Sequence, residues 1–173
     1  SAGQAGLLLI IFPVVMMMVG PISGVLADRF DPAKIVTLGL SLVAVSQLGY
    51  WFLDLNSPLW VYITVTVVMA VGTGLFQSPN SDIVMSVVGK DQLGSAGSIN
   101  ALARNIGMVS GTALSTTVLF TVMSMLAHTK VTTYLPTQPG LFISGMHVAF
   151  TASFILIVMA IWLSLKQGQM NLK

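Results

Sequence analysis

Five stretches of this 173-residue chain are each long and apolar enough to cross a lipid bilayer. A crossing helix needs about 20 mostly apolar residues, because hydrocarbon roughly 30 Å thick offers the backbone no hydrogen-bond partner. The crossings are expected near residues 5–27, 34–53, 59–80, 105–127 and 145–165. The fourth should continue as a cytoplasmic helical extension from about residue 92, through a Gly/Ser-rich segment too polar to enter lipid alone. The fold class follows: an all-α, polytopic membrane protein, read as one transmembrane domain over 1–173. With 55% of residues hydrophobic and 7% charged, there is more apolar surface than one water-soluble core can hide. The chain opens SAGQAG, with neither Met nor a cationic flank, and passes into a span too long and proline-marked for a cleaved signal peptide. It is therefore expected to be a fragment of something larger.

An odd number of crossings puts the termini on opposite sides, and the excess of Lys and Arg marks the cytoplasmic side. Arg29 and Lys34 lie between the first two spans, Lys90 and Arg104 between the third and fourth, and Lys166 and Lys173 after the fifth; only Lys130 falls on the other side. The C terminus is thus expected in the cytoplasm. Tyr50, Trp51, Trp60 and Tyr62 around the outer turn suit an aromatic belt at headgroup depth.

Several kinds of chemistry have no residues to carry them. The chain has no Cys, so no disulfide and no thiolate metal site. His128 and His147 lack carboxylates at ligand spacing, and no metal or cofactor is expected. A net charge of +2 is too small to favour nucleic acid. Neither a nucleophile elbow nor a phosphate-binding loop occurs, so hydrolysis and ATP-driven pumping are not expected, and neither is an enzyme. There is no Glu, and none of the five Asp falls at mid-membrane, so an acid that couples transport to protons would have to lie elsewhere.

The polar groups that remain fall into patterns. In the first span Gly20, Gly24 and Asp28 share a face, a small-residue seam ending in a carboxylate at the membrane edge. A carboxylate at that depth calls for a partner, and Arg29, Lys34, Arg104 and the start of the fourth helix are candidates. In the fourth, Arg104, Gly107, Gly111 and Ser115 repeat the arrangement; Arg104 either joins a charge network with Asp28 or Asp82 or snorkels to headgroups. Gly72 and Gly74 allow close packing of the third span, where Pro79 should loosen the helix and free carbonyls beside Gln77 and Asn80. Gln47, Thr73, Gln77 and Asn80 are the polar candidates for a substrate path, with buried interhelical hydrogen bonds as the alternative role.

The stretch Gly24-Val25-Leu26-Ala27-Asp28-Arg29-Phe30, between two spans, resembles the loop signature of the major facilitator superfamily. The match breaks after Phe30, where Asp31, Pro32 and Ala33 replace a Gly and two basic residues and only Lys34 keeps the charge. Residues 76–118, from FQSPNSD through LARNIGMVSG, are similar to the penultimate-helix region of the fourteen-helix drug:proton antiporters. This resemblance implies that the five spans form most of the second six-helix bundle of a carrier in the cell membrane of a bacterium. It also implies that the missing N-terminal bundle is their partner, that protons drive export of a small hydrophobic, often cationic drug, and that antibiotic resistance follows. Gly24, Asp28, Arg29, Lys34 and Arg104 would then belong to a cytoplasmic gating latch. Two other readings stand beside it: a carrier for another solute, and a membrane scaffold or regulator that transports nothing.

Overall fold

A computed structural model of the chain describes residues 2–54, 56–134 and 137–170. It has five α-helices, α1 (Ala2–Arg29), α2 (Pro32–Trp51), α3 (Leu59–Ser86), α4 (Leu93–Ala127) and α5 (Pro139–Met170), with a single 3-10 turn at Lys90–Gln92 before α4. All five contain stretches long and apolar enough to cross a membrane, and no strand occurs among the described residues.

The helices outrun the expected crossings in two instructive places. The third was expected to stop near Asn80 but continues through Pro79 to Ser86, because a proline removes only one donor and its neighbours can satisfy the freed carbonyl. The fifth starts at Pro139, a residue tolerated in a first helical turn, rather than at 145. Between α1 and α2 the link is short: Asp31 Oδ1 accepts from Ala33 N at 3.0 Å, and Pro32 fits the first position of α2. At the other end of α2, Asp54 N donates to Ser57 Oγ at 2.8 Å and Pro58 leads into α3. Helix α4 stops at His128, whose backbone is left-handed (φ 52°, ψ 22°). The chain then folds back so that Val131 N donates to Ser124 Oγ at 3.0 Å, and Val131 itself is buried.

Packing order differs from chain order. Helix α3 packs on both α1 and α2, α2 also packs on α5, and α5 packs on α4, so the neighbours run α1, α3, α2, α5, α4. Among the described residues α1 meets neither α4 nor α5, and α3 touches α4 only lightly. The result is an open arc with α1 at one end and α4 at the other. Its tightest joint is α2 against α3. A Cβ on Gly39 would lie 2.6 Å from Phe76 N and 2.7 Å from the Gly72 carbonyl, so the two backbones touch and only glycine fits. Gly145 plays the same part for α5, with Leu119 O 2.9 Å from where its Cβ would stand and Met123 fully buried beside it.

Candidate functional site

The charged residues expected in a latch are spread over three helices. Asp28 and Arg29 finish α1, Lys34 begins α2, and Arg104 lies in the first third of α4; all four side chains are exposed. No ion pair or hydrogen bond involves Asp28 or Arg104 among the described residues. The partner sought for Asp28 on this chain is therefore not met, for a geometric reason: α4 packs on α5 at the far end of the arc, away from α1.

The small-residue seam of α1 is also rotated from its expected place. Contact with α3 runs through Met16, Val19 and Ser23, where a Cβ on Gly74 would lie 2.7 Å from Val19 Cγ1. Gly24 stands at the edge of that contact, where a Cβ would lie 3.8 Å from Ser78 Oγ, and a Cβ on Gly20 would meet open space. A Cβ on Gly107 or Gly111 would likewise meet nothing within 4 Å. The glycines that do carry close approach are Gly39, Gly49, Gly72, Gly74 and Gly145. Of these Gly72 and Gly74 were legible beside Pro79, whereas Gly39, Gly49 and Gly145 sit among ordinary apolar residues that give no sign of which face they share.

The four candidates for a substrate path do not converge. Gln47 is buried at 8% exposure, its Oε1 has no hydrogen-bond partner, and it borders a cavity of about 310 Å³ with Trp51, Phe52, Phe150 and Phe154 between α2 and α5. Thr73 spends its hydroxyl on its own helix, donating to Met69 O at 2.8 Å. Asn80 lines a different cleft, on the α2 and α5 side. Gln77 is half-buried, and among the described residues its side-chain amide makes no hydrogen bond.

Two polar contacts escaped the sequence. Ser23 Oγ, fully buried, donates to the Leu75 carbonyl at 3.5 Å. Leu75 is the residue four before Pro79, so the carbonyl freed by the proline is this one rather than those beside Gln77 and Asn80. The i−4 rule could have located the acceptor; only the fold could supply the donor. Tyr50 Oη and Thr66 Oγ1 lie 2.8 Å apart, and the Tyr50 ring stacks on Phe150 at 5.3 Å, tying α2 to both α3 and α5.

Among the described residues no group of three His, Asp or Glu side chains is placed to hold a metal. What the arrangement offers instead is an uncovered stretch of helix with polar groups along it. Residues 101–117 of α4 are exposed throughout and include Arg104, Asn105, Ser110, Thr112, Ser115, Thr116 and Thr117. Lipid is a poor solvent for the charged and amide groups among them, Arg104 and Asn105.

An open arc of membrane-crossing helices, with one of them left uncovered, is the architecture of a piece of a larger multi-helix membrane protein. The chain belongs to the Major Facilitator Superfamily, whose family model matches residues 1–112, and whose members are transporters. It is 33% identical over 113 residues to the riboflavin transporter RibZ of Clostridioides difficile, a match covering 65% of this chain and 25% of the relative. Similarity extends to the multidrug efflux pump LfrA of Mycolicibacterium smegmatis, 31% over 109 residues, covering 63% and 22%. The tetracycline resistance determinant of Streptomyces rimosus is 30% identical over 145 residues, covering 80% and 41%. The chain thus spans about a quarter of the length of the first of these relatives. No solved structure matches it.

Proposed function

We propose that this chain supplies five helices of the second bundle of a secondary active transporter that exports hydrophobic or cationic drugs in exchange for protons by alternating access. The supporting observation is the 101–117 stretch of α4, uncovered on every side, with Arg104, Asn105 and five Ser and Thr residues exposed among apolar ones. Such a face is accounted for when further helices of the same carrier, its N-terminal bundle included, close over it and leave a water-filled path between the two halves. Two relatives whose names state efflux or resistance, LfrA and the tetracycline determinant, support drug cargo. The carrier would sit in the bacterial inner membrane with this C terminus in the cytoplasm, as the distribution of Lys and Arg favours.

In this reading Gly24, Asp28, Arg29, Lys34 and Arg104 form the half-latch of the second bundle. Their charges are exposed and unpaired within the chain, and their partners lie on the first bundle. Gln77, the candidate with a half-exposed, unbonded amide, is the one best placed to meet cargo. The coupling carboxylate belongs to helices outside this chain.

The test is ethidium efflux by the whole carrier, in cells stripped of their own drug pumps, with and without a protonophore. Proton-coupled export lowers ethidium accumulation, and the protonophore abolishes the difference. Ethidium should also protect a cysteine at Gln77 from a thiol reagent. Unchanged accumulation together with protonophore-sensitive riboflavin movement would replace drug export by a second reading, a carrier for another solute, which the RibZ relationship favours.

A further inference from the structure

We infer that the cleft between α2, α3 and α5 at the basic end of the arc is a binding site for one anionic phospholipid. The cleft has a volume of about 480 Å³, many times the roughly 30 Å³ that a water molecule occupies in the liquid. Its lining is ordered along the membrane normal. On α3 and α5 the apolar wall of Phe76, Ala160 and Leu163 gives way to the polar groups Asn80, Ser164 and Lys166 toward the helix ends that carry Arg29, Lys34 and Lys90, while α2 lines the cleft with the apolar Leu40 and Val36. The order holds on two separate helices. In α3 Phe76 precedes Asn80 by one turn, and in α5 Ala160 precedes Ser164 and Lys166, both helices running toward the same end.

A lipid has this layout, with an acyl chain toward the bilayer centre and a charged group at the interface. The polar end is also selective for sign. Thr37 Oγ1 donates to Ala33 O at 2.9 Å, so its 3.0 Å contact with Ser164 Oγ takes the serine's proton. The donors left are the Asn80 amide, which makes no hydrogen bond among the described residues, and the Lys166 ammonium. Lys166 Nζ is held 5.2 Å from the Trp162 ring centroid, at the depth where an indole anchors in the interface. No Asp lines the cleft. A cation over an aromatic ring beside a free amide donor suits a phosphate oxygen that carries net negative charge, and a zwitterionic headgroup gains less there.

The test is native mass spectrometry of the whole carrier released from vesicles of dioleoyl phosphatidylglycerol and dioleoyl phosphatidylcholine mixed in equal parts. One phosphatidylglycerol should remain bound after most detergent and lipid has left. Lys166→Gln should lower its retention over phosphatidylcholine about fivefold, the weight of one basic residue at an anionic surface, and Lys166→Arg should restore it. Lys90→Gln, equally basic and at the same end but outside the cleft, should change nothing. Leu163→Trp, at a half-exposed position that tolerates bulk, should fill the apolar wall and displace both lipids. Equal retention in wild type, Lys166→Gln and Leu163→Trp overturns the assignment. Displacement of phosphatidylglycerol by millimolar inorganic phosphate also overturns it, since the site would then read a free anion.

Discussion

Ser23 of α1 donates its hydroxyl proton to the backbone carbonyl of Leu75 in α3, at 3.5 Å, where Pro79 has no N–H to offer. A defect in one helix is thus closed by a side chain of another, which is how prolines persist inside membrane helices. The contact is long, so its weight should lie near the ordinary value for a hydrogen bond between membrane helices, about 0.6 kcal/mol. Ser23→Ala is expected to destabilise the bundle by about that much in denaturation from micelles. Pro79→Ala restores the donor within α3, so Ser23→Ala in that background should cost nothing. A full cost in both backgrounds would show that the serine acts through packing alone.

The α2–α3 joint predicts a contrast among glycines. Gly39→Ala places a methyl 2.6 Å from Phe76 N and 2.7 Å from the Gly72 carbonyl, with backbone on both sides and no flexible side chain to yield. Overpacking of this kind costs about 1–3 kcal/mol. Gly20→Ala meets nothing within 4 Å and should leave the melting temperature of the bundle unchanged. Equal losses for the two variants would contradict the seam described above.

Asp28→Asn in the whole carrier should separate folding from movement. Since Asp28 is exposed and unpaired in this bundle, membrane expression and melting temperature should stay at wild-type values. Ethidium export should fall about tenfold if the carboxylate meets a cation on the other bundle, a contact of the order of 1–3 kcal/mol between sites that open and close. Export at the wild-type rate would leave Asp28 as an interfacial residue with no part in gating.

Orientation is open to direct chemistry, because the chain has no Cys of its own. Single cysteines replacing Lys34 and Lys90 should react with an impermeant maleimide only after the membrane is opened or inverted. Reaction in intact cells would reverse the topology and the side on which the latch acts.

The sequence carried the crossings well and their neighbours poorly, for the same physical reason. A 20-residue apolar run is fixed by bilayer thickness, so the existence of each helix is written in composition. Which face of a helix meets another is written in side-chain shape instead, and lipid contributes no apolar contrast to read it by. Gly20 and Gly24 look like a seam in α1, yet the contact runs through Val19 and Ser23, one residue round the helix. Gln47, Thr73, Gln77 and Asn80 look like one path, but the fold divides them between an aromatic cavity, a hydroxyl bound to its own helix, a half-exposed position and a separate cleft. Asp28, Arg29, Lys34 and Arg104 look like one cluster in the sequence, and all four are exposed, but the fold sets α4 away from α1.

The interleaved packing order bears on how such a chain is made. Within this chain a ribosome delivers α1 and α2 before α3, but these two barely touch, and the main partner of α1 is α3. Until Leu59–Ser86 has been synthesised, α1 lacks the helix of this chain that it packs on most, and Ser23 waits for a carbonyl that does not yet exist. The same delay recurs for α4, which has little to hold until α5 arrives. Each early helix must therefore be apolar enough to wait and shaped well enough to be claimed later. A truncation between α2 and α3 would remove the helix on which both of them pack, whereas one after α3 would keep the tightest joint of the chain complete.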